Sequence, residues 1–457
     1  DFCKINICFI IAVMKKIFVS LISIFMIIGL PVFASVKENP NIQIYFVNPI
    51  NKSKPAKSGD GEAINALLKL INDAQENIDF AIYGISNEDE IFQALISAQN
   101  RGVKVRGIVD MDNEKKNPYK DTYDLLKHLT NIKTDYKQLK DFKSSKSDYV
   151  QHVTYNIGGK IVEASFVNEG IKDYNDKIMH NKYFIIDKKI VWTGSMNISN
   201  TCASYNSNSS VAINSKELAE IYTEDFEQMF IKNKHHNEKQ NNVSTKYINI
   251  DDNTKVVALL LPEDKETYNI VSGYINRAQK YIYVPMFFFT HTKYSQDLIN
   301  AHNRGVKVKV ILDATSARTG YSKHEIMRMA GIPVKIENWG GKMHEKSLII
   351  DDKYLLIGSM NFTSGAHYQN DENSLLIENK EIAIKSRKRF EKLWKSIPDK
   401  WLYSIPKPEG EDSKYSCFDN IDNDHDGLID SEDPDCACFY KGKQNKYIYN
   451  QKGPIID

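Results

Sequence analysis

MHNKYFIID at 179–187 and MHEKSLIID at 343–351 are one nine-residue pattern written twice, 164 residues apart. Each reads Met-His-x-Lys, four mostly apolar residues, then Asp. The isoleucine-rich run after each lysine reads as a short strand. In a strand, side chains two apart share a face, so His180 projects with Lys182, and His344 with Lys346. Asp187 and Asp351 fall on the opposite parity. They are expected to fix a turn or a neighbouring strand, not to touch what the histidines touch.

The repetition extends outward. MHNKYFIIDKKIVWTGSMNIS at 179–199 matches MHEKSLIIDDKYLLIGSMNFT at 343–363, and AQNRGVKV at 98–105 matches AHNRGVKV at 301–308. A repeat on this scale signals a duplicated unit. The halves differ in spacing: Gly102 and His180 are 78 residues apart, Gly305 and His344 only 39. The first half therefore carries an insert at about 111–178, read either as a surface excursion over the site or as solvated decoration.

Each half alternates helix and strand. Ile64, Leu67, Leu68 and Ile71 give 62–76 a helical spacing, NIDFAIY reads as a strand, and Ser86 or Asn87 is expected to cap a helix through about 100. VKVRGIVD then closes a strand at Asp110. The second half repeats this with helices near 264–279 and 294–303, and strands YIYVPMFFF and VKVKVILD. The fold class expected is α/β: two similar domains, each a mixed sheet flanked by helices, related by a pseudo-twofold axis. Their limits are set at 40–232 and 250–400, with the polar stretch 231–249 as linker and His235 and His236 solvated within it. PMFFF at 285–289 is expected to be buried core strand. Trp339 fits either the pocket or the packing.

Asp187-Lys188-Lys189 and Asp351-Asp352-Lys353 read as hairpin turns. The returning strands end at Gly194-Ser195-Met196-Asn197 and Gly358-Ser359-Met360-Asn361, bringing Asn197 back towards Lys182 and Asn361 towards Lys346. Two histidines, two lysines and two asparagine amides suit a phosphodiester. The lysines and amides oppose the charge that builds on five-coordinate phosphorus. One histidine attacks and the other moves protons. No metal ion is needed for the chemistry, and one chain supplies both halves of the site.

His-x-Lys, four residues, Asp, then Gly-Ser-x-Asn, twice in register, resembles the phospholipase D superfamily over about 60–230 and 255–395. The resemblance implies a metal-independent phosphodiesterase with a phosphohistidine intermediate. It also implies an acidic residue downstream of each motif supporting a histidine. Glu372 stands there in the second half, but Asn208 occupies the equivalent place in the first. If the support crosses between halves, Glu372 polarises His180, making His180 the nucleophile and His344 the general acid.

From Met14 the chain reads MKKIFVSLISIFMIIGLPVFAS. Lys15 and Lys16, an apolar run and Val32-Phe33-Ala34 make 14–34 an expected signal peptide cleaved after Ala34, and the chain secreted or periplasmic. Export permits disulfides. Cys417, Cys436 and Cys438 cluster near the C-terminus, with Cys417 expected to pair with Cys436 or Cys438, while Cys202 reads as a small buried residue. Within CFDNIDNDHDGLIDSEDPDCAC at 417–438, inside a segment set at 412–440, Asp422, Asp424, Asp426, Asp430 and Asp433 take positions 1, 3, 5, 9 and 12 of an EF-hand-like loop. Gly427 sits at 6 and the Leu428 carbonyl at 7. This resembles thrombospondin-type or dockerin-like calcium modules and implies structural Ca2+. The alternative is a solvated acidic tail.

Sixty Lys and Arg balance 59 Asp and Glu, a formal net charge of +1, which does not announce a nucleic-acid binder. The favoured reading is a secreted enzyme that hydrolyses or transphosphatidylates phospholipids at a membrane surface. Its alternatives are an endonuclease using the same chemistry on DNA or RNA, and a calcium-dependent surface-binding protein with a vestigial core.

Overall fold

The computed structural model describes residues 39–110, 119, 121–135, 149–168, 177–240, 246–413 and 415–440. The expected leader at 14–34 lies outside these residues. From Asn41 onward the chain forms one compact unit. Among the described residues no helix is long and apolar enough to cross a membrane.

Two mixed sheets carry the fold. In the first, seven strands run in the spatial order Ile42–Val47, Asn208–Asn214, Ile190–Gly194, Lys182–Ile186, Asn77–Ile82, Lys104–Val109, Ile132–Thr134. In the second, Thr254–Leu261, Glu372–Glu378, Tyr354–Gly358, Ser347–Ile350, Tyr281–Met286, Lys307–Leu312 and Val334–Ile336 repeat that order, with Ile248–Asp251 added at the edge. Each sheet is parallel on one side of its centre (Ile78↔Val105, Ile282↔Val308) and antiparallel on the other (Ile78↔Ile186, Ile282↔Ile350). The α/β class expected from the alternation is realised.

Both sheets are buried on both faces, which explains strands such as KYFII, where all five residues are buried. The outer face of the first packs against helices Glu62–Asp73 and Asp89–Asn100, burying Ile64, Leu67, Ile71, Ile91 and Leu95. The outer face of the second packs likewise against Thr267–Arg277 and Thr292–Asn303. Helices Lys216–Phe230 and Lys380–Ser396 contribute Tyr222, Phe226, Phe390 and Leu393 to a third core lined by both sheets. The two halves therefore share a hydrophobic centre.

Several local expectations are corrected. The helix Asp89–Asn100 is not capped by Ser86 or Asn87; Glu88 holds that position, and the Glu90 amide donates instead to Ser58 Oγ, 2.9 Å away. His235 and His236 are not solvated. Both are buried, and His236 bridges Asp135 (3.3 Å) and Asp371 (3.1 Å), while Lys239 sits buried among Asp225, Glu263 and Asp371. Local polarity misled here because the partners lie far away in sequence. The segment 111–178 is not uniform decoration either. Thr122–His128 and Ile132–Thr134 match His324–Met329 and Val334–Ile336 in place, so the extra residues fall after Thr134. Part of them forms the hairpin Tyr149–Ile157 and Lys160–Asn168, which lays Tyr155 against the second half, its hydroxyl 3.1 Å from Ser295 Oγ.

Candidate active site

Asp187 and Asp351 close the turns that aim the two motif strands. Asp187 accepts from the amides of Gln75, Glu76 and Asn77 at 2.8–3.1 Å, and Asp351 from those of Gln279, Lys280 and Tyr281 at 2.7–2.8 Å. Both aspartates adopt positive φ (50° and 55°), which Asp tolerates in tight turns. Each one ties its hairpin to the start of a neighbouring strand and faces away from the site.

At the opposite strand ends each histidine is anchored to the other half. The His180 amide donates to the Asp371 carbonyl at 2.8 Å, and the His344 amide to the Ser207 carbonyl at 3.0 Å. The side chains cross in the same way. His180 Nδ1 lies 2.8–2.9 Å from both oxygens of Glu372, and His344 Nδ1 lies 2.9 Å from Asn208 Oδ1. Lys182 Nζ donates to the His180 carbonyl (3.0 Å) and Lys346 Nζ to the His344 carbonyl (2.8 Å). Both lysines are about 1% exposed.

The supports are themselves held. Ser359 Oγ donates to Glu372 Oε2 at 2.5 Å; Ser195 Oγ donates to Asn208 Oδ1 at 2.8 Å. Asn208 Nδ2 donates to the Cys202 carbonyl at 2.9 Å, which orients the amide and leaves Oδ1 for His344. Each Nδ1 therefore carries the proton and each Nε2 faces the cavity with its lone pair. The two supports differ in charge: His180 leans on a buried carboxylate, His344 on a neutral amide.

Burial pushes His180 down to about 4, with Glu372 opposing the fall. Burial and the neighbouring lysines hold His344 well below the ordinary histidine range. Burial takes Lys182 down to about 8; burial, with Lys182 beside it, holds Lys346 well below the ordinary lysine range. At neutral pH both imidazoles are neutral. An arriving anion would relieve the crowding of positive charge.

The cavity above them measures about 410 Å³ and is lined by His180, His344, Asn197 and Asn361, with Tyr83, Tyr119, Phe287 and Phe288 forming an aromatic rim. Asn197 Nδ2 donates to Tyr119 Oη at 2.7 Å; Asn361 Oδ1 accepts from the Phe288 amide at 3.2 Å, leaving its NH2 for a ligand. PMFFF is thus only partly core. Phe289 is buried, but Phe287 and Phe288 pass beyond the strand end into the cavity wall. Trp339 belongs to the packing.

Tyr83 and Phe287, one residue beyond equivalent strands, escaped the motif reading. Tyr83 stacks edge-on to His180 at 5.7 Å and lies 5.9 Å from Lys182 Nζ; Phe287 lies 4.9 Å from both the His344 ring and Lys346 Nζ. Aligning the two halves on their strands, not on their motifs, would have exposed the pair. Asp110, whose carboxylate accepts the Met179 amide at 2.6 Å, was likewise legible only as a strand end.

In the C-terminal segment, oxygens of Asp424, Asp426 and Asp433 lie within 4.8 Å of one another, as do those of Glu409, Asp422 and Asp424. Asp430 is not turned to this cluster; its two oxygens accept from the Asp419 and Asn420 amides at 3.2 and 3.1 Å. Glu409, outside the twelve-residue spacing, joins instead. The Leu428 amide donates to Asp426 Oδ1 at 2.8 Å. Cys417 pairs with Cys436, while Cys438 is free and exposed and Cys202 free and buried.

Two similar α/β halves, each lending a histidine and an asparagine to one cavity with a buried lysine behind each histidine, define a duplicated two-motif class. The chain matches the PLD-like domain of cardiolipin synthase over residues 67–230 and 271–394, and belongs to that phospholipase D-like family. It is 40% identical over 114 residues to a phospholipase D of Rickettsia felis, covering 25% of this chain and 56% of that protein. It is 30% identical over 151 residues to the mouse mitochondrial cardiolipin hydrolase, covering 33% of this chain and 68% of that protein. The chain spans about half the length of most curated relatives it matches. The phosphatidylserine synthase of Haemophilus influenzae shares the fold across both halves, with a TM-score of 0.52 at 14% identity, covering 78% of this chain and 85% of that one.

Proposed function

We propose that the chain is a phosphodiesterase that cleaves phospholipid head groups through a phosphohistidine on His180. The observation that carries this is the asymmetry of support: a carboxylate behind His180, a neutral amide behind His344. His180 Nε2 attacks phosphorus while Glu372 stabilises the positive imidazole that forms. The bond from phosphorus to the leaving oxygen breaks, and His344, protonated once the substrate anion offsets the two lysines, delivers a proton to that oxygen. Water then attacks phosphorus and gives its proton to His344, and the phosphorus–nitrogen bond breaks to return neutral His180. Lys182, Lys346, Asn197 and Asn361 hold the non-bridging oxygens as their charge grows. An alcohol in place of water would give transfer.

A lipid substrate is supported by the aromatic rim and by relatives bearing the names phospholipase D and cardiolipin hydrolase. Export is supported by the leader-like stretch and by the Cys417–Cys436 disulfide. The test is to incubate the protein separately with radiolabelled phospholipid and plasmid DNA in EDTA, and to quench in alkali for phosphohistidine mapping. Label is expected on His180, and none with His180→Asn. Label on His344 would reverse the roles; DNA nicking with intact lipid would move the substrate to nucleic acid.

A further inference from the structure

The acidic C-terminal loop does not hang free; it forms part of the wall of the catalytic cavity. Ile421, Asp422 and His425 line that cavity together with His180 and His344. The loop is clamped there by Asn423, whose Nδ2 donates to the Gly340 carbonyl (2.8 Å) and whose carbonyl accepts from Thr315 Oγ1 (2.9 Å). Tyr205 Oη donates to Asp419 Oδ2 at 2.8 Å, and His425 Nε2 contacts Lys342 Nζ, two residues before His344.

The same loop carries a built cluster of oxygens. Beyond the two groups of three acids, Asp433 is only 3% exposed; its Oδ1 accepts the Asp435 amide at 2.6 Å, but its buried Oδ2 has no partner. An orphaned carboxylate oxygen packed beside two other carboxylates is a costly arrangement unless a cation sits among them. Among the described residues no lysine or arginine pairs with Asp422, Asp424, Asp426 or Asp433. Hard carboxylate oxygens in a loop turning at Gly427 (φ 94°) suit an ion of the calcium class.

We propose that Asp424, Asp426 and Asp433 bind a calcium-class cation, and that this ion, seated beside Asp422, completes the mouth of the catalytic cavity and sets its affinity for anionic phosphodiesters. Asp422 lines the cavity and groups with the ligand Asp424, and His425 lies between the ligands Asp424 and Asp426, so the ion fixes the rim through both. It also cancels carboxylate charge that would repel an approaching phosphate. The ion takes no part in bond breaking, so it acts on substrate affinity more than on the chemical step. This rests on the phosphodiesterase reading, and the experiment separates the two.

The full chain, stripped in EDTA, is titrated calorimetrically with calcium chloride. One saturable site is expected, lost in Asp424→Asn/Asp426→Asn. In parallel, KM for bis(4-nitrophenyl) phosphate is compared in EDTA and in calcium. Calcium is expected to lower it about fivefold or more in wild type, as for one charge interaction of moderate screening, and not to move it in the double variant. The affinity of His180→Asn for the same ester, by equilibrium dialysis, reports on the mouth without turnover. Absence of calcium binding to wild type, or binding that leaves KM and that affinity unmoved, overturns the inference whether or not the double variant folds. Lack of turnover with an intact calcium response in the dialysis arm would overturn the enzymatic reading alone.

Discussion

Replacing Glu372 by Gln removes one charge and almost no volume from the support of His180. The carboxylate is fully buried and accepts from His180, Ser359 and Asn370. Exchanging a charge-assisted hydrogen bond for a neutral one costs about 1–2 kcal/mol in the resting state. As His180 bonds to phosphorus its ring becomes cationic, and losing a facing charge about 4 Å away adds up to roughly 4 kcal/mol at an effective dielectric of 20. The first cost falls on the resting enzyme and does not raise the barrier; the second does, so the step should slow by up to about a thousandfold, at about 1.4 kcal/mol per decade. The assay is kcat/KM across pH on a soluble phosphodiester, with thermal melting as control. His180 protonates at about 4 in the wild type, so activity should fall as pH drops through that value. Glu372 raises that pKa, so its loss should move the acid limb lower still. A fall in rate with an unmoved acid limb would point to misfolding alone, and undiminished activity would refute the role given to Glu372. The exchange Glu372→Asn with Asn208→Glu goes further: trapped phosphate should migrate to His344.

Other outcomes follow from the same geometry. Activity should decline above about pH 8 as Lys182 loses its proton, and Lys182→Met should lower kcat while removing that limb from the pH profile. Asp187→Ala removes the acceptor of three strand-end amides, two of them open to water, and should lower stability by about 1 kcal/mol in urea titrations, with kcat little changed per folded molecule. Because those amides hold its pKa below 3.8, Asp187 contributes fully above that value, and the contribution is lost as pH falls through the depressed folded value. Lys239→Met leaves Asp225 and Glu263 without a cation in the core and Asp371 with His236 alone, a loss of about 3–5 kcal/mol visible as a lower Tm.

Much of this was readable because it is local or repeated. The strand parity of His180 and Lys182, the outward aspartates and the alternation of elements all follow from short-range pattern, and the duplication supplied a second reading of each. What escaped was set by distance in sequence. His235 and His236 look like linker because Asp135 and Asp371 are far away along the chain. Phe287 and Phe288 look like core strand because nothing local shows that the strand stops at Met286. Asp430 fits the spacing of a calcium ligand, but the Asp419 and Asn420 amides claim its oxygens. The cavity wall formed by Ile421 and His425 has no signature at all, since it depends on where a tail is clamped.

The exchange of supports between halves bears on how unequal histidines could arise. Were each half a separate, identical subunit, a twofold axis would make positions 208 and 372 the same residue, and every substitution would strike both histidines at once. Joined in one chain, the two positions mutate independently. One can carry a carboxylate while the other carries an amide, and the unequal support of His180 and His344 is a freedom that covalent fusion grants and symmetry forbids.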